Sequence, residues 1–182
     1  MEIPAYFQTI AEVGIGIAGF SGLVVALRQS DGPLSEIQKY RLRVLFALSF
    51  GAVFLSLLPE LQTNLQVPDE RVWFDSSAAI FIYSLGFFWW WIGPSRRIAK
   101  VAPEIFNWRA FNTMAAGHAV ILLLQLAVLV GYFETRAAGI VALGLTWYLM
   151  HAAQQFIRML FIQPRTGSGS EPDSDLKRQL DD

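Results

Sequence analysis

The chain contains no cysteine. Disulfides, thiolate metal sites, iron–sulfur clusters and c-type haem attachment are therefore excluded. Charge is scarce as well: 16% of the 182 residues are Asp, Glu, Lys or Arg, against about 25% in an ordinary soluble domain. A net charge of -1 offers no basic field to steer nucleic acid. The chain also lacks a nucleophile elbow, an HExxH pair and a phosphate-binding loop. Gly14-x-Gly16-x-x-Gly19 matches the dinucleotide pattern, but no strand precedes it. The loops at residues 59–75 and 93–107 are too short for a catalytic domain. These absences point away from an enzyme of the soluble type.

What is present is apolar. Hydrophobic residues make up 54% of the chain, and they fall into long runs. Crossing a bilayer core of about 30 Å takes about 20 mostly apolar residues. Five stretches qualify or nearly do: residues 7–27, 40–58, 76–92, 112–133 and 137–157. The fold expected is an all-α membrane bundle of five transmembrane helices within one domain, residues 1–163. An acidic tail, residues 164–182, is expected to be disordered. Local chemistry supports these bounds. Asp31-Gly32-Pro33 is a turn signal, and Ser35 with Gln38 reads as a capping box. Asp75 is expected to cap the third helix. Pro59 and Gly93-Pro94 are expected to end the second and third, and Pro103 to start a short interfacial helix with Glu104 in its first turn.

The loop charges carry a topology. Of the fourteen Lys and Arg residues, twelve fall on one side of the five-span arrangement and two, Arg71 and Arg136, on the other. By the positive-inside rule the N-terminus is outside and the C-terminus cytoplasmic. The location expected is the cell membrane, a bacterial-type plasma membrane. Aromatic residues mark both faces: Tyr6, Phe7, Trp73, Phe74, Tyr132 and Phe133 outside, and Trp89-Trp90-Trp91, Trp108 and Phe161 inside. The tandem tryptophans read as an interfacial anchor.

Within the spans, a few small and polar residues stand out. Gly14, Ala18 and Gly22 form a small-residue series of the kind that lets membrane helices pack closely. Val13, Ile17, Phe20, Val24 and Leu27 make a bulky stripe assigned to lipid. Glu12 lies about 8 Å below the outer end of the same helix. It is the only acid well inside a span, with Gln8 one turn away.

The fourth and fifth spans form a hairpin centred on Thr135. His118 lies seventeen residues before that centre and His151 sixteen after it, so the two histidines are expected at equal depth. Met114, His118, Gln125 and Tyr132 share a stripe of the fourth span. Gly144, Trp147, His151, Gln154 and Arg158 share a stripe of the fifth, with Leu145, Leu149, Phe156 and Leu160 assigned to lipid. Polar groups on one side must meet protein, water or a cofactor, because lipid cannot hydrogen-bond them.

Glu12, His118, Gln125, His151, Gln154 and Arg158 are therefore the candidate polar path or ligand site. The reading favoured is an oligomeric channel or small transporter for ions or small solutes, with a proton-sensitive path. One alternative is a redox subunit or membrane anchor binding haem b or quinone, with His118 and His151 as haem ligands. Another is a non-catalytic assembly subunit docking through its acidic tail. The partners expected are the lipid bilayer and further copies of the chain, and no nucleic acid.

Overall fold

The computed structural model describes residues 5–28, 34–103 and 106–161. Among them there is no strand, and five α-helices follow in order: α1, Tyr6–Arg28; α2, Glu36–Asn64; α3, Asp69–Val101; α4, Trp108–Leu129; and α5, Ala137–Phe161, with a 3-10 turn at Glu134–Arg136 leading into α5. Four of these, α1 to α4, are long and apolar enough to cross a membrane. They mark the chain as a membrane protein. The outside of the bundle agrees: Phe20, Phe54, Ile82, Trp89 and Leu123 all lie exposed. The expected turn at Asp31-Gly32-Pro33, Glu104 and the tail lie outside the described residues.

α5 is not among the four. It is long enough, but His151, Gln154, Gln155 and Arg158 crowd its second half. It also holds a different position from the rest, packing against all of α1, α2, α3 and α4 and most extensively against α2. This corrects the face assignment made from its periodicity. Leu145 and Leu149, assigned to lipid, are buried, and Phe156 packs against the core. The outward face of α5 lies elsewhere, on Leu143, Met150, Ile157 and Phe161, which are exposed.

Capping and turn chemistry set the helix ends. Ser35 and Gln38 do form the capping box of α2. Asn107 caps α4 by accepting from the Ala110 N–H at 3.1 Å. α4 ends in a Schellman turn, with Tyr132 N–H bonded to the Ala127 carbonyl and Gly131 N–H to that of Val128. Gly131 sits at φ 84°, where a side chain would be strained.

Two helices run further than expected. α2 continues five residues past Pro59, and α3 runs through Gly93-Pro94 to Val101. Inside a bundle, neighbouring groups re-satisfy the backbone that a proline frees. Asp75 accordingly lies inside α3 and caps nothing; Pro68 occupies the cap position, with Asp69 and Glu70 in the first turn. At 33 residues α3 is about 50 Å long, well beyond the hydrocarbon core. It takes up residues 93–101 of the loop expected at 93–107 and ends before Pro103.

Close approaches run through particular glycines. On α1, Gly14 and Ala18 face the bundle with Phe7, Ile10, Ala11 and Ser21. A Cβ on Gly14 would stand 2.7 Å from Val53 Cγ2 and 3.0 Å from the Ser49 carbonyl oxygen. Gly22, the third member of the small-residue series, is exposed and has open space around it. The packing face is thus Gly14 and Ala18 without Gly22. The bulky stripe is mostly outward as expected, although Ile17 packs on the core.

Gly14→Ala should therefore lower stability by about 1–3 kcal/mol, because the Ser49 backbone cannot retreat. Gly22→Ala should be neutral or stabilising by up to about 1 kcal/mol through helix propensity. Thermal unfolding of the two variants in detergent checks the contrast.

Candidate functional site

The α4–α5 contact is built on two exchanges between small and large residues. Gly117 of α4 lies so close to the Trp147 indole of α5 that a Cβ there would overlap the ring. Gly144 of α5 returns the favour, with Gln125 Nε2 3.0 Å and Ile121 3.3 Å from its would-be Cβ. The Gln125 amide then donates to the Ile140 carbonyl at 3.1 Å. Two helices held this closely bring their inward side chains into direct contact.

The contact at the centre is between the two histidines. His118 Nε2 and His151 Nδ1 are 2.9 Å apart. His151 Nε2 lies 3.0 Å from Gln155 Nε2. Both rings are fully buried, at 0% exposure, so no bulk water competes for these bonds. The chain of bonds couples the tautomers. If the Gln155 amide donates to His151, then His151 donates through Nδ1 and His118 accepts through Nε2. His118 Nδ1 is then an N–H, and it has no partner. Trp147 Nε1 is likewise buried without a partner.

Aromatic rings enclose the pair. Phe87 lies 5.1 Å, centroid to centroid, from His118, and Trp91 meets His151 edge-on at 5.3 Å. Trp91 also stacks on Phe111 at 5.0 Å. The tandem tryptophans therefore divide. Trp89 is exposed and Trp90 packs against Tyr40, but Trp91 is buried as a wall of the histidine site. The expectation of a common interfacial anchor fails for Trp91.

Further polar groups continue the column toward both ends. Toward the α4–α5 turn, Ser84 and the Tyr148 hydroxyl share a short hydrogen bond, and Tyr148 donates to the Ile80 carbonyl at 3.3 Å. Ser76 donates to Gln62 Oε1 at 3.2 Å nearer the surface. Toward the opposite end, where α2 begins, the Tyr40 hydroxyl bonds the Trp91 carbonyl at 3.0 Å and Ser95 at 2.9 Å. Arg41 Nη1 donates to the Arg158 carbonyl at 3.3 Å.

Of the residues singled out from sequence, His118, His151 and Gln125 are buried on the α4–α5 contact, and Arg158 lies half-buried near the C-terminal end of α5. Glu12 is not brought to them. It is exposed on the outside of α1, accepting from Gln8 Nε2 at 3.0 Å. Gln154 is half-buried, and its Oε1 has no partner; the amide that reaches His151 is Gln155, one full turn on. Tyr132 is exposed and off the stripe. Gln155, Arg41, Ser84 and Tyr148 were missed. The i, i+4 spacing from His151 pointed to Gln155.

The pair does not fit a haem within one chain. Nitrogens on opposite sides of one metal stand about 4 Å apart, with a porphyrin between them; here the rings bond each other directly. Among the described residues no group of three or more His, Cys, Asp or Glu could hold a metal ion.

Compared with known proteins, the chain matches no family model, no curated protein and no solved structure.

Gln155→Leu should cost about 1–3 kcal/mol by stranding His151. Gln154→Leu, which removes an unpartnered acceptor, should be neutral or slightly stabilising. Denaturant or thermal unfolding of both variants separates the two amides.

Proposed function

We propose that the protein is a five-span membrane protein, N-terminus outside and C-terminus cytoplasmic, that acts as an oligomeric channel or small transporter with a proton-carrying site. The observation that carries this reading is the buried His118–His151–Gln155 chain. A histidine pair inside a membrane is costly, and aliphatic side chains would pack there at less expense. An imidazole accepts a proton on one nitrogen while releasing one from the other. A proton taken up at His151 Nε2 displaces the one on Nδ1 to His118 Nε2, and His118 releases its own from Nδ1. Both rings end as the opposite tautomers and reset by rotation.

The two rings lie at one depth, so the pair is a transfer point and not a path from face to face. Ser76, Ser84, Gln125 and Tyr148 lie on its outer side, and Gln155, Arg158 and Arg41 on its inner side. Glu12 has no part in the transfer. Its place on the outside of α1, beside Gly16 and Gly19 with open space around them, favours contact with a second copy.

Two experiments test the proposal. In liposomes reporting internal pH, His118→Leu and His151→Leu should each slow proton flux at least about tenfold, whereas Glu12→Gln should leave it unchanged. Equal flux in all variants would remove the histidines from the mechanism. For topology, the cysteine-free chain allows single labels. Thr135→Cys should react with an impermeant maleimide from outside and Phe161→Cys only from the cytoplasmic side; reaction of both from one side would rule out a crossing by α5.

A further inference from the structure

At the end of the bundle where α2 begins and α5 stops, Arg41 is buried with 7% exposure. Among the described residues its one hydrogen bond goes to the Arg158 carbonyl, 3.3 Å away. That carbonyl is among the last four of α5, which have no partner within the helix. The bond thus accounts for one of five N–H donors of the Arg41 guanidinium. Arg158 itself is half-buried, and the two guanidinium groups are close enough to repel each other.

Neither arginine has a carboxylate within ion-pair distance among the described residues. The one acid described at this end, Glu36, is held by Lys39 at 2.6 Å. Arg43, Arg96, Lys100 and Arg109 are exposed at the same end and add positive charge. A surface arginine needs no partner, because it extends its head into water. A buried one beside a second cation does need one. The remaining donors form the planar fork that grips two oxygens of a phosphate at once.

We propose that Arg41 and Arg158 form a binding site for a phosphate group at the basic end of the bundle. The phosphate can belong to the headgroup of an anionic lipid, entering from the side, or to a soluble phosphate, entering from the water. Either supplies the missing negative charge, and Arg41 is held ready for it by the α5 carbonyl.

The test uses the full chain, purified in nonionic detergent. Retention of phosphatidylglycerol against phosphatidylcholine is read by native mass spectrometry, and binding of inorganic phosphate by isothermal titration. Arg158→Gln should weaken the preferred probe about tenfold or more, and Arg41→Gln should do the same where it folds. Arg43→Gln, at an exposed position, should leave binding unchanged. Selective retention of phosphatidylglycerol that Arg158→Gln abolishes assigns the site to a lipid headgroup. Saturable phosphate binding that Arg158→Gln abolishes assigns it to a soluble anion. Binding of neither probe, or equal weakening by Arg43→Gln, overturns the proposal. The readout is binding and not flux, so it stands or falls separately from proton transfer.

Discussion

The bond between His118 and His151 is the constraint around which the bundle is organised. Inside a bilayer, lipid offers imidazole no hydrogen bond, so each ring must find its partner in the protein. A nitrogen-to-nitrogen distance of 2.9 Å demands that α4 and α5 lie nearly in contact. The glycines supply that proximity: Gly117 makes room for Trp147, and Gly144 for Gln125 and Ile121. Once the helices are that close, α3 closes the remaining side with Phe87 and Trp91, and Gln155 occupies the far nitrogen of His151. Each of these features would be a defect without the others.

The placement of α5 follows from the same logic. A helix carrying His151, Gln155 and Tyr148 on its buried side is expensive to show to lipid and inexpensive to surround. The other four helices all pack against it, and its exposed stripe of Leu143, Met150, Ile157 and Phe161 is apolar. The same side chains that disqualify α5 as an apolar span are the ones that put it at the centre. The polar column it carries is interrupted by no charged residue until Arg158, at the basic end where Arg41 lies beside it.

Much of this was legible in the sequence and some was not, for identifiable reasons. The apolar runs, the capping box at Ser35 and the equal depth of the two histidines follow from length, local hydrogen bonding and antiparallel pairing, which need no knowledge of neighbours. Faces were harder. A periodicity argument assumes that each helix splits evenly between protein and lipid, but α5 touches all four other helices and leaves outward the stripe of Leu143, Met150, Ile157 and Phe161. Leu149 was therefore sent outward, and Gln154 was chosen over Gln155. Pro59 and Pro94 were read as ends by rules drawn from water-exposed helices, whereas in a membrane bundle an unbroken helix is favoured and neighbouring groups satisfy the backbone that a proline frees. Three consecutive tryptophans look alike in sequence, yet successive residues of a helix point about 100° apart, so they cannot share one role. Trp91 went to the histidines and Trp89 to the surface.

The central claim is that His118 and His151 share one proton-bearing hydrogen bond inside the folded chain. The most direct measurement is nitrogen-15 NMR of the histidine-labelled protein in lipid bilayers, looking for scalar coupling across the bond. A cross-peak linking His118 Nε2 to His151 Nδ1, lost in Gly117→Leu where the helices are forced apart, is the result predicted. Two independent histidine signals, uncoupled and unaffected by Gly117→Leu, would contradict it.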